Sequence, residues 1–214
     1  MIENKKEFLI NHLVNSNYIK SKEVKKAFQK VPREQFLPKS KEEYAYADTP
    51  LSIGSGQTIS APHMIAIMVE ALDIKPGLKI LEIGTGSGYH AAIVSQLVKD
   101  EGHVYTVERH ESLADEARKN LEDADIKNVT VEVGDGSKGL PKYQPYDRIY
   151  VTCAAPSIPE PLKDQLNDPG IILIPVGNMY SQLIKFELKN GKTSSQNLGG
   201  CAFVPLIGEY GHKY

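Results

Sequence analysis

Glu82-Ile83-Gly84-Thr85-Gly86-Ser87-Gly88 constrains this chain more than any other stretch. Residues 79–83 (Lys-Ile-Leu-Glu-Ile) read as a short strand, and 89–99 read as a helix. A strand running straight into a glycine-rich turn and then a helix is the opening of a βαβ unit, which commits the chain to a parallel sheet. The glycines let the backbone turn sharply and approach a ligand where a Cβ would collide. The alternation continues with strand 103–108, helix 112–121, strand 129–133, strand 147–152, helix 159–166 and strand 171–174. The end differs: 182–188 and 195–204 read as two strands joined through Asn190-Gly191, a strong hairpin signal. The expected fold is therefore α/β, a doubly wound, mostly parallel, Rossmann-like sheet with a C-terminal antiparallel hairpin.

Ahead of the glycine loop the chain is helical. Residues 5–15 and 22–31 read as two short helices, the second with the buried stripe Val24, Ala27, Phe28 and Val31, and Pro32 ends it. From Glu34 to Ile59 no sustained period appears, and Pro38, Pro50, Gly54 and Gly56 interrupt the pattern. A structureless connection of that length implies a task such as covering or lining a site. A third helix begins near Pro62, with Ser60 or Ala61 beside its cap position. No repeat or linker appears, so the 214 residues are expected to form one domain, with 1–75 as N-terminal helices and substrate-site loop and 76–214 as sheet core.

The formal net charge of -2 and pI near 6.3 provide no field for a phosphate backbone, which argues against nucleic acid as partner. The first 43 residues are locally basic, ten Lys/Arg against six Asp/Glu, and a solvated helical face accounts for that. Cys153 and Cys201 are far apart without metal-ligand spacing and read as free thiols in a reducing cytoplasm. The six histidines are scattered, with no metal spacing. No signal peptide or bilayer-spanning run is legible, so the expectation is a soluble cytoplasmic protein without metal or membrane partner. Oligomeric state is not legible, and a monomer is the starting expectation.

Three features assign the loop to S-adenosyl-L-methionine (AdoMet). The spacing is G-x-G-x-G, not the dinucleotide G-x-G-x-x-G. Glu82 ends the strand where a carboxylate suits the methionine ammonium and would repel a pyrophosphate. Glu108 ends the next strand, placed to accept from both ribose hydroxyls. Asp135, in Gly134-Asp135-Gly136 after strand 129–133, is placed either to bind the adenine amine or simply to form a turn. The expected cofactor residues are thus Glu82, Gly84, Thr85, Gly86, Gly88, Glu108, Arg109, Asp135 and Gly136. A parallel sheet with a terminal hairpin is also the architecture of class I methyltransferases.

On the acceptor side, residues 47–62 are rich in glycine and small hydroxyls and open onto a helix N-terminus, an arrangement that suits an anion. Ser60 there could equally be only an N-cap. From end to end the chain resembles the protein-L-isoaspartate O-methyltransferase family. The resemblance is carried by Val31-Pro32-Arg33-Glu34 with Phe36 and Pro38, the 47–62 segment, Leu81 to Tyr89, Gly134-Asp135-Gly136, Pro145 to Ile149, Ala154-Ala155-Pro156, Asp164-Gln165-Leu166, Ile174 to Gly177, and Phe203 to Gly208. The 47–62 segment and the Phe-Val-Pro-Leu ending are its specific parts. Cys153 stands where the family usually has alanine, and Asn167-Asp168-Pro169-Gly170 replaces a Lys-x-Gly-Gly turn, on an expected surface.

The resemblance implies that Ser60 is the active-site serine, with Thr58 and His63 beside cofactor or substrate. It also implies a substrate site of Ile53, Gln57, Thr58, Ile59, Ser60, Val204 and Leu206. The implied reaction is methyl transfer to the free α-carboxylate of L-isoaspartyl residues in damaged proteins, with D-aspartyl residues as a further acceptor. The ester closes to a succinimide, which hydrolyses partly to normal aspartate, and S-adenosyl-L-homocysteine is the other product. A nucleic-acid amino-methyltransferase would show an Asn- or Asp-Pro-Pro-aromatic motif where this chain has Thr152-Cys153-Ala154-Ala155-Pro156. A non-catalytic AdoMet sensor would have no need of Ser60 or the 47–62 segment.

Overall fold

The protein is described from a computed structural model covering residues 2–178 and 180–213. Helices α1 (Ile2–Asn15) and α2 (Lys22–Lys30) open it. Ser21 caps α2 by accepting from the Val24 amide, and the buried stripe is Val24, Ala27 and Phe28, as their spacing predicts. Residues 34–59, expected to be irregular, are in fact ordered. Two 3-10 turns (Arg33–Phe36 and Lys39–Tyr44) lead into a small antiparallel hairpin of β1 (Leu51–Gly54) and β2 (Gln57–Ile59). Phe36, Leu37, Ala45, Ile53 and Ile59 anchor this stretch in the core at spacings that match neither a helical nor a strand period. Helix α3 (Pro62–Ala71) follows, with proline in its first turn.

The remaining elements are β3 (Lys79–Ile83), α4 (Tyr89–Val98), β4 (His103–Glu108), α5 (Glu111–Asp123), β5 (Val129–Val133), β6 (Tyr146–Val151), α6 (Glu160–Asp164), β7 (Leu166–Gly177), β8 (Ser181–Lys189) and β9 (Lys192–Cys201). They build one sheet in the order β5-β4-β3-β6-β7-β8-β9. Strands β3 to β7 are parallel, and β8 runs antiparallel to both its neighbours. The doubly wound sheet with a terminal hairpin is as expected.

Two of the boundaries that depart from the sequence reading bear on the site and the sheet edge. Strand β7 starts at Leu166 and absorbs 167–170, which is therefore not a simple surface turn. Strand β9 ends at Cys201, so 203–207 is free to cross elsewhere.

Along β3, Ile80 packs with the N-terminal helices on one face, while Leu81 and Ile83 pack with Ile149, Val151 and Ile172 on the other. A strand covered on both sides is a continuous apolar run, which Ile80-Leu81-Glu82-Ile83 is except for its acid. Strand β4 lies on one side of β3 and β6 on the other, with Val107 and Val151 both level with Ile83. Strand order reverses there, and such a switch point opens a crevice at the strands' carboxyl ends. Among the described residues no helix is long and apolar enough to cross a membrane.

Candidate active site

A cleft opens at that crevice. Its floor is the glycine loop. Gly84 has φ +95°, and a Cβ on it would collide with the Thr152 hydroxyl, which donates to the Gly84 carbonyl at 2.7 Å. Only glycine meets both demands. The Gly86 amide donates to Glu108 Oε2 at 3.0 Å, and the His110 amide donates to Oε1 at 3.0 Å. Glu108, 5% exposed and at the end of β4, therefore grips the loop while forming a wall of the cleft. A carboxylate offers about four lone-pair sites, so two remain for the adjacent hydroxyls of a ribose.

Of the expected residues, the cleft brings together Gln57, Thr58, Gly84, Gly86, Glu108, Arg109, Gly136, Val204 and Leu206. Gly88, in the left-handed region, is the N-cap of α4. Ile83, Val107, Thr152, Cys153, Pro205 and Ile207 line the cleft too, although the sequence did not single them out for a site. Register would have found the first four, since each stands at or just past the end of a parallel strand. Pro205 and Ile207 are placed by the C-terminal crossover: the Ala154 amide donates to the Val204 carbonyl at 2.8 Å, and the Leu206 amide donates to the Ala154 carbonyl at 2.7 Å. Burial pushes the Cys153 thiol far up, so it stays protonated and serves as wall, not nucleophile.

Three expected contacts look different in place. Glu82 does not line the cleft but lies wholly buried beneath the loop. Thr106 donates to its Oε2 at 2.6 Å, and Thr85 in turn meets the Thr106 hydroxyl at 2.7 Å. Its Oε1 has no hydrogen-bond partner, and burial pushes its pKa up to about 8. An acid one residue from a glycine turn can face either side of the strand, and here the alternation of β3 directs it inward.

Asp135 turns out to be a turn former. Its Oδ1 accepts from the Ser137 amide (2.9 Å) and hydroxyl (2.6 Å), and its Oδ2 accepts from the Glu209 amide (2.8 Å). Partial burial raises the acid's pKa, but the bonds from Ser137 and Glu209 outweigh it and hold it below the ordinary value. One lone pair of Oδ2 remains for an adenine amine. His63, in the first turn of α3, is drawn away from the cleft: its Nδ1 lies 2.9 Å from Asp48 Oδ1, and its ring packs 5.5 Å from that of Tyr18.

Ser60 stands between β2 and α3, half-buried. It is not the helix cap. Ala61 holds that position, and no side chain caps the helix. The Ser60 carbonyl accepts from Arg33 Nη2 at 2.9 Å. Ile53 and Ile59 are buried residues of the preceding hairpin, and Ile53 reaches the cofactor loop, its Cδ1 lying 3.2 Å from where a Cβ on Gly86 would stand. Hairpin and glycine loop thus meet at an apolar contact.

Comparison with known proteins agrees with this geometry. Residues 4–211 match the model of the family described as Protein-L-isoaspartate(D-aspartate) O-methyltransferase (PCMT). A protein-L-isoaspartate O-methyltransferase of Hyperthermus butylicus is 53% identical over 96% of this chain and 89% of its own length. One from Methanothermobacter thermautotrophicus is 51% identical over 96% of each. Among solved structures, a protein-L-isoaspartate O-methyltransferase superposes with a TM-score of 0.88 at 32% identity, over 96% of this chain and 67% of that one. A putative one from Plasmodium falciparum, in complex with S-adenosyl-L-homocysteine, superposes with a TM-score of 0.82 at 26% identity, over 93% and 96%. The chain belongs to the protein-L-isoaspartate(D-aspartate) O-methyltransferase family.

Proposed function

We propose that the protein transfers a methyl group from AdoMet to the free α-carboxylate of L-isoaspartyl residues in damaged proteins, and of D-aspartyl residues as a further acceptor, initiating their repair. The observation that carries this reading is the family match over nearly the whole chain together with an intact Gln57–Ser60 segment beside the cleft. The cleft fits AdoMet. Close backbone approach at Gly84 and Gly86, the spare lone pairs of Glu108 and the apolar wall of Ile83, Val107 and Leu206 suit a loop contact, a ribose and an adenine face in turn. When bound, AdoMet supplies a methyl group activated by a sulfonium.

The chain's own residues then have little chemistry to perform. The acceptor carboxylate has a pKa of about 4 and is ionised at neutral pH, so no general base is needed. What the site must provide is alignment, with the attacking oxygen about 3 Å from the methyl carbon. The Ser60 hydroxyl donates to one oxygen of the acceptor and leaves the other turned to attack. Ile53, Ile59, Val204 and Leu206 exclude water around it, which favours a step that neutralises charge. Glu108 holds the ribose, and Asp135 uses its remaining lone pair for the adenine amine. Free Cys153 and Cys201 are in keeping with a reducing cytoplasm, where we place the enzyme. Labelled methyl transfer to peptides differing only in Asp or isoAsp linkage tests the reading.

A further inference from the structure

Arg33 is completely buried, the largest side chain so enclosed among the described residues. No carboxylate among those residues lies within ion-pair distance of it. Its Nε and Nη1 have no hydrogen-bond partner. Burying a guanidinium in this way is costly, and its charge is met in part by Tyr89 and, beyond ion-pair distance, by Asp48 and Tyr46. Its bond to the Ser60 segment is directional: Nη2 donates to the Ser60 carbonyl at 2.9 Å. Its guanidinium carbon also sits 5.0 Å over the centre of the Tyr89 ring. Tyr89 is the first residue of α4 and follows Gly88 directly, so it is the cofactor loop's continuation.

One planar, rigid group therefore spans the two halves of the site. Its fork fixes the main chain of the residue whose hydroxyl faces the acceptor, and its flat face rests on the helix that carries the cofactor loop. A neutral apolar residue would fill the same space with less desolvation cost and would make neither link. We propose that Arg33 is a positioning residue for methyl transfer, setting the Ser60 segment in register with the cofactor loop without touching either substrate. This rests on the reading that Ser60 orients the acceptor.

The test compares R33M, which has no donor, with R33K, which keeps a cation and one donor for the Ser60 carbonyl. A misplacement of about 1 Å costs on the order of a hundredfold in rate. R33M should lower kcat for isoaspartyl peptide by about tenfold or more, with AdoMet affinity and peptide KM changed by no more than about threefold. R33K should recover most of that loss. Hydrogen–deuterium exchange gives a readout that needs no acceptor: R33M should speed exchange in 57–62 while leaving 79–98 unchanged. If R33M fails to fold, R33Q is measured the same way, and the same faster exchange in 57–62 is expected.

Wild-type kcat in folded R33M, or AdoMet affinity falling as far as kcat, would overturn the proposal. So would wild-type exchange in 57–62. Lack of isoaspartyl methylation by the wild-type enzyme would instead count against the acceptor reading, with the exchange result still deciding whether Arg33 holds the segment.

Discussion

Ser60 is one residue from a helix cap, and the difference matters for what its loss should do. Because Ala61 is the N-cap and no side chain serves that helix end, Ser60→Ala removes no capping bond and should cost well under the ~1 kcal/mol typical of a lost cap. If its hydroxyl orients the acceptor, the same change should lower kcat by about ten- to a hundredfold, at about 1.4 kcal/mol per decade. AdoMet affinity should barely move. Thermal unfolding, calorimetry and steady-state kinetics on one preparation separate these effects, and near-normal turnover by stable S60A would remove Ser60 from the mechanism. The fold brings Gln57, Thr58, Glu108 and Gly136, each a candidate by residue identity, into one cleft. Glu82 and His63 lie outside the cleft lining, because a sequence names a residue but not the face it takes or the partner beside it, here Thr106 and Asp48.

Elements were legible wherever one period ran long enough. The parallel strands and their helices could be read because each is an apolar run between glycine-rich or capped ends. The hairpin β1–β2 could not, since four- and three-residue strands are too short to show alternation. The start of strand β7 at Leu166 is hidden in the sequence for a different reason. Asp168 accepts from the Asn190 and Gly191 amides at 2.7 Å each and so closes the β8–β9 turn from the neighbouring strand. Asn167 meanwhile donates to Asp147 on β6. Contacts across twenty or more residues leave no local signature. Asp168→Ala should therefore lower stability by about 1–2 kcal/mol through two lost bonds to a charged group, discounted for exposure. Activity should be unchanged at temperatures where the variant is folded. Urea unfolding would check it, and an unaltered midpoint would show the turn to be self-sufficient.

For the whole molecule, two buried groups of opposite kind shape the dependence of stability on pH. Burial raises Glu82 from its ordinary 4.5 to about 8 and lowers His90 from 6.5 to about 3. Between pH 4.5 and 8 the folded state holds the extra proton on Glu82, so stability falls as pH rises. Between pH 3 and 6.5 the unfolded chain holds the extra proton on His90, so stability rises with pH. The two oppose each other from pH 4.5 to 6.5 and leave an alkaline decline above 6.5, with a slope of up to about 1.4 kcal/mol per pH unit. Glu82→Gln should abolish that decline. Denaturant unfolding of both proteins from pH 6 to 9 checks it, and parallel curves would show that Glu82 does not carry the effect. Two peptides of identical composition are incubated with the enzyme and AdoMet labelled in its methyl group, one with a normal Asp linkage and one with an L-isoaspartyl linkage. The account predicts base-labile label in the isoaspartyl peptide alone, absent when the enzyme is omitted. Equal labelling of both peptides, or of neither, would contradict it.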